Sequence, residues 1–278
     1  MSKKILAVFD GTKYSDGASK YAIEIAKATN SLLVGVFVQD MRYLNFTYAY
    51  TWDQPFVDFT AIEDSQKEER EKIDLNIKLF NRACDEKGIH HKVHLDKGVP
   101  LRELLTESSF SDLIIIDAHT SFFTLGNTSP SPFLKDLLAD SHCPVLIVPH
   151  QYSFFDKTVL CYDGSPSSLY AIKMFSYLFS EFSELETTVL SVNEKTSNHL
   201  STGFNVKDLI HTHFKHTAYE VLNGNVETEL INYLKNNAAN AVVVMGSYGR
   251  NAISRAFHQS LSNKVIQEVN APVFITHQ

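Results

Sequence analysis

Cysteine is scarce: Cys84, Cys143 and Cys161 are the only three in 278 residues, an odd and widely spaced set. Such a set builds neither a disulfide framework nor a zinc ligand group, and it suits a reducing compartment, so a cytoplasmic setting is expected. No uncharged apolar run approaches the ~20 residues a helix needs to cross a bilayer. The first apolar stretch, Ile5 to Phe9, stops at Asp10, far short of the h-region of an export signal. Positive charge is not in excess either. Lys+Arg total 25 against Asp+Glu 32, a formal net charge of -7 with no basic cluster, which argues against nucleic acid and anionic membranes as partners. No Gly-Lys-Ser or Gly-Lys-Thr follows a glycine-rich turn, which disfavours a P-loop phosphotransferase. Low-complexity tracts are lacking in both halves, so a packed fold is expected throughout, and the length suits two domains.

What is present is a duplication. Lys4-Ile5-Leu6-Ala7-Val8-Phe9-Asp10-Gly11-Thr12 is echoed by Lys157-Thr158-Val159-Leu160-Cys161-Tyr162-Asp163-Gly164-Ser165, an offset of 163 − 10 = 153. Asp112 to Ile116 matches Asn240 to Val244, and Cys143 to Ile147 matches Ala271 to Ile275, each at an offset of 128. The first copy therefore carries 153 − 128 = 25 extra residues in its middle. Between these anchors strand and helix signals alternate. Ala18, Tyr21, Ala22, Ile25 and Ala26 share one helical face, as do Ile172, Phe175, Leu178, Phe179 and Phe182, with Ser15 and Ser165 as caps. Apolar runs at Leu32 to Val38 and Leu185 to Val192 read as second strands. The order β-α-β-α-β-α-β-α-β, twice over, predicts two mostly parallel sheets with helices on both faces and ligands beyond the strands' carboxyl ends. The boundary falls at Pro149 to Phe155, and so short a linker favours two copies packed as a built-in pseudo-dimer.

The most informative string is Val243-Val244-Met245-Gly246-Ser247-Tyr248-Gly249-Arg250, a strand entering a small loop; Gln259 and Ser260 follow, where Leu261, Val265, Ile266 and Val269 mark a helix start. Two readings stay open. In one, the glycines let the backbone approach a phosphate at the helix N-terminus, with Ser260 adding a donor, Arg250 a charge, and Asp163 facing a base or ribose. In the other, the loop is a tight strand-to-helix turn without a ligand.

On these residues the chain resembles the universal stress protein family, whose nucleotide-binding members carry Gly-x2-Gly-x9-Gly-(Ser/Thr) after the fourth strand and an Asp after the first. The resemblance covers both halves. It implies an α/β fold of two tandem doubly wound five-stranded parallel-sheet domains, Rossmann-like and similar to the adenine nucleotide alpha hydrolases, over residues 1–150 and 151–278. It further implies that ATP or ADP with Mg sits in the second copy, against Asp163, Gly164, Val192, Met245, Gly246, Gly249, Arg250, Gln259, Ser260 and Leu261. The chain departs from the motif at Gln259, which stands where the family has glycine. In copy one Asp117-Ala118-His119-Thr120 replaces Gly-x2-Gly, the position ten beyond Thr120 is Pro130, and Gly126 lies four residues out of register. A carboxylate at a phosphate site repels ATP, so copy one is expected to be nucleotide-free.

Other features invite bland readings. His90, His91 and His94, and His211, His213 and His216, lack the spacing and companion ligands of a metal site. All three cysteines read as core residues. Tyr43, Phe46, Tyr48, Tyr50, Trp52, Phe56 and Phe59 crowd an insertion at about 40–62 that copy two lacks. It is either a lid or partner patch, or an element folded back over its own domain or the seam, and the second is the expectation. The charged run Glu63 to Lys72 reads as a solvated helix face. The expected function is that of a non-catalytic stress-associated protein binding an adenine nucleotide or other small molecule, with weak ATP hydrolysis at most and homodimerisation left open. The rival is a nucleotide-independent scaffold or carrier of a small apolar ligand.

Overall fold

The computed structural model describes residues 2–40, 59–122, 130–194, 203–246 and 252–276. The N-terminal half runs β1 (Lys4–Asp10), α1 (Asp16–Ala28), β2 (Leu32–Asp40), α2 (Phe59–Lys87), β3 (His91–Gly98), α3 (Pro100–Ser108), β4 (Leu113–Asp117), α4 (Pro132–Asp140) and β5 (Val145–Val148). The C-terminal half repeats the order as β6 (Lys157–Cys161), α5 (Pro166–Leu178), β7 (Glu186–Asn193), α6 (Gly203–His213), β8 (His216–Asn223), α7 (Val226–Asn237), β9 (Ala241–Gly246), α8 (Ala252–Glu268) and β10 (Val273–Thr276). Hydroxyl and amide caps start the helices: Ser15, Ser131, Ser165 and Asn225 each accept from a backbone N–H of the first turn, satisfying donors that the helix leaves orphaned. Proline opens α3, α4 and α5, where its missing N–H costs nothing. One expected face breaks early: α5 ends at Leu178, and Phe182 lies in a separate 3-10 turn, Ser180–Phe182.

Ten strands form one sheet in the order β3-β2-β1-β4-β5-β10-β9-β6-β7-β8. Each half is parallel within itself, and the halves join where β5 and β10 pair antiparallel, Val145 with Ile275, Leu146 with Phe274 and Ile147 with Val273. The pseudo-dimer is thus a continuous sheet. An antiparallel join keeps matching helices on one face, so α1, α2, α5 and α6 cover one apolar layer and α3, α4, α7 and α8 the other, each layer running through both halves.

Strand pairing corrects the repeat register. Ala7 pairs with Ile115 and Leu160 with Val244, and since Ala7 and Leu160 correspond, the fourth strands are offset by 244 − 115 = 129, not 128. Side-chain faces agree: Ile114 and Ile116 share one layer with Val243 and Met245, and a one-residue slip reverses that assignment. Of the extra residues in copy one, 153 − 129 = 24 therefore precede β4. Asp117 corresponds to Gly246.

The linker is bonded to both halves. Tyr21 Oη on α1 donates to the Ser153 carbonyl at 2.5 Å, Ser153 Oγ donates to Asn240 Oδ1 at 2.7 Å, and the Asp156 amide donates to the Asn240 carbonyl at 2.9 Å. Phe155 is buried and stacks on Phe154. The aromatic insertion, apart from Phe59 at the start of α2, lies outside the described residues.

Candidate functional site

At the carboxyl ends of β6, β7 and β9 the sheet order turns back on itself, the position where doubly wound folds open a crevice. In the C-terminal half this crevice is a cavity of about 50 Å³. Five residues singled out in the sequence line it: Asp163, Val192, Met245, Gly246 and Leu261. Cys161, Tyr162, Ser168, Leu190, Val226 and Leu230 complete a mostly apolar wall. Asp163 is exposed, and its Oδ1 accepts from the Ser165 amide at 2.9 Å. The intervening Gly164 has φ +82°, a left-handed conformation that costs a side-chain-bearing residue about 1–2 kcal/mol.

Gly249 and Arg250 lie outside the described residues, as does the side chain of Gln259. Ser260 was expected at a helix start, but α8 begins at Ala252, so Ser260 is an exposed residue inside the helix. Its backbone N–H is therefore among those an α-helix pairs internally.

Gly246 serves packing. A Cβ there would lie 2.3 Å from the backbone C and O of Ser167 and 2.5 Å from the Ser168 nitrogen. The first turn of α5 therefore rests on the end of β9, and glycine is needed there whether or not a ligand binds. Beside this contact Ser167 Oγ is buried without a hydrogen-bond partner among the described residues, a hydroxyl able to serve an incoming acceptor.

The corresponding strand end of the N-terminal half is built differently. Asp117 replaces Gly246, and its side chain is 4% exposed. Its Oδ2 accepts from Ser15 Oγ at 2.6 Å and lies 3.0 Å from His150 Nδ1; Oδ1 accepts from the His119 amide at 2.7 Å and lies 3.2 Å from His119 Nδ1. Burial alone raises the pKa of this carboxyl, but the bonds from Ser15, the His119 amide and His150 outweigh it and leave the pKa below the usual 3.8. Nearby, Asp10 Oδ1 accepts from the Thr12 amide and hydroxyl, yet burial dominates and raises its pKa, with Asp40 adding repulsion. Glu69 of α2 is raised by burial too, with Asp10 and Asp40 adding to the rise. Asn76 of the same helix donates to the Gly11 carbonyl at 2.9 Å, and Ile73 packs against Gly11. Sequence reasoning marked Asp117 but missed its partners, because His150 belongs to the linker and Ser15 had been read only as a cap.

Two doubly wound halves sharing one sheet define a tandem α/β protein. The universal stress protein family model matches residues 1–149 and 155–277. The chain belongs to the universal stress protein family. It is 28% identical over 154 residues to universal stress protein MJ0531 of Methanocaldococcus jannaschii, covering 52% of this chain and 81% of that protein. Its fold is similar to a universal stress protein from Archaeoglobus fulgidus, with a TM-score of 0.71 at 19% identity, covering 100% of this chain and 97% of the other. It is also similar to a functionally unknown protein, PA1789, from Pseudomonas aeruginosa PAO1, with a TM-score of 0.56 at 14% identity, covering 99% and 92%.

Proposed function

We propose that the chain is a non-catalytic stress-response protein of the cytoplasm, built of units 1–150 and 151–278, whose C-terminal unit holds ATP or ADP. The observation that carries this reading is the convergence of Asp163, Val192, Met245, Gly246 and Leu261 on one strand-end cavity. Ser167 Oγ beside Gly246, unpaired among the described residues, fits a phosphate acceptor. Among the described residues no group of three or more His, Cys, Asp or Glu side chains is arranged to hold a metal, so magnesium would arrive on the phosphates. Occupancy rather than turnover is the expected outcome. The test is calorimetric titration of nucleotide-stripped protein with ATP and magnesium, repeated on Asp163→Ala. Saturable binding near one equivalent, weakened by the substitution, supports the reading; no heat at millimolar ATP overturns it.

A second reading, a nucleotide-independent scaffold or carrier of a small apolar ligand, draws on the size of the same cavity. About 50 Å³ is well below the ~300–1,000 Å³ of typical ligand pockets, and its walls are largely apolar. Silence towards ATP combined with binding of a small hydrocarbon probe would favour it.

A further inference from the structure

Asp117 is held by donors from three separate segments: Ser15 from the loop before α1, the amide and imidazole of His119 from the exit of β4, and His150 from the linker. Ser15 Oγ does double duty, since it also accepts from the Ala18 amide at 3.1 Å as the cap of α1. A buried carboxylate surrounded by four such groups is an oxyanion in an oxyanion receptor. The position matters. In the C-terminal half the corresponding residue is Gly246, which has no side chain to enter the junction between the fourth strand and the first helix.

We propose that Asp117 is the residue that decides which half accepts an external oxyanion: its carboxylate is an internal ligand that fills the receptor of the N-terminal half and excludes phosphate. The inference rests on the reading above only in taking this junction as a phosphate position. Beyond simple charge repulsion, the donors themselves are engaged by Asp117. Asp10, Asp40 and Glu69 are close enough to influence one another, with Lys13 beside Asp10 and Arg70 beside Glu69 as the neighbouring cations. The N-terminal half is therefore fixed in one state, and any nucleotide response comes from the C-terminal half alone.

The experiment uses the full chain and inorganic phosphate, followed by the backbone amide resonance of His119 and by calorimetry. In the parent, phosphate leaves the His119 amide unmoved, because Asp117 holds it; a saturable phosphate shift there overturns the proposal. In Asp117→Gly the donors are released, and phosphate affinity is expected to rise at least about tenfold with the His119 amide shifting in step. Asp117→Ser, which leaves a small hydroxyl, is read in the same way if the glycine variant does not fold. A folded variant that gains no phosphate binding overturns the proposal. ATP titrations on the same proteins separate the two ideas: a phosphate gain without any ATP binding sinks the nucleotide reading and leaves this one standing, and ATP binding without the phosphate gain does the reverse.

Discussion

Ser15 Oγ and Asp117 Oδ2 lie 2.6 Å apart across 102 positions of sequence, and this bond ties the start of α1 to the end of β4. The carboxyl is more acidic in the fold than its ordinary 3.8 because hydrogen bonds outweigh the penalty of burial. A group with a depressed pKa contributes stability that is fully present above the unfolded value and is lost as pH falls through the folded one. Asp117→Asn is therefore expected to lower stability at neutral pH, by about 1–3 kcal/mol, and to flatten the loss of stability below pH 3.8. Urea unfolding from pH 7 down to pH 3 checks both. An unchanged acid slope would mean that Asp117 does not carry it. Asp10, whose pKa is raised by burial, works in the opposite sense, its ionised form being the strained one.

The contact between Gly246 and Ser167 yields a second prediction. A methyl group at 246 would overlap backbone atoms at 2.3 Å, and the backbone of α5 has no easy retreat because its next residues, Ala171 and Phe175, are buried. Gly246→Ala is expected to destabilise by about 1–3 kcal/mol, measured by urea unfolding without ligand. Loss of nucleotide binding in that variant thus says little about phosphate, and Asp163→Ala, on an exposed side chain, is the sharper probe. Parent-like stability would show that α5 does not rest on β9 in solution.

Much of this was legible in the chain. Asp10 ends β1 and Asp163 follows the end of β6 by two residues, and Ser15 and Ser165 cap matched helices, because strand tips and caps leave residue types that survive duplication. The register of the fourth strands was not legible. Ile114-Ile115-Ile116 and Val242-Val243-Val244 are uniform aliphatic runs, so a shift by one matches as well as no shift, and only pairing to Ala7 and Leu160 fixes it. Nor does an apolar run such as Val145-Leu146-Ile147 say which edge it will join. The start of α8 at Ala252 was hidden because the family motif drew attention to Ser260, although Ala252 to Gln259 contains no helix breaker. The partners of Asp117 were hidden because His150 sits in a segment whose role looked merely connective.

The thiols give a third prediction. Burial pushes Cys84, Cys143 and Cys161 each up to about 12, with smaller contributions from Asp85, Asp112 and Asp163 respectively. The thiolate is the reactive form, so at pH 8 a disulfide reagent is expected to label none of them in the native protein and all three after unfolding. Cys161 is the informative position because it lines the C-terminal cavity. Rapid labelling of Cys161 alone would mean that this crevice opens readily.

The seam between the halves carries the last prediction. Leu146 and Phe274 face each other in register where β5 meets β10, and neither is exposed to solvent. Phe274 also packs edge-on against Phe175 and Phe179 of the helix layer, at 5.3 and 5.8 Å between ring centroids. Phe274→Ala removes a large buried ring where two strands of a continuous sheet leave little room to collapse, at an expected cost of about 3–5 kcal/mol. Because both apolar layers run through both halves, that loss is expected to be shared. Hydrogen exchange read by mass spectrometry should then show weakened protection in β1 and β4 as well as in β6 and β9, and denaturant unfolding should remain a single transition. Faster exchange confined to β6 through β10 would mean that the halves are energetically separate in spite of the shared sheet, and that a nucleotide bound in the C-terminal half has no route through the seam to the N-terminal one.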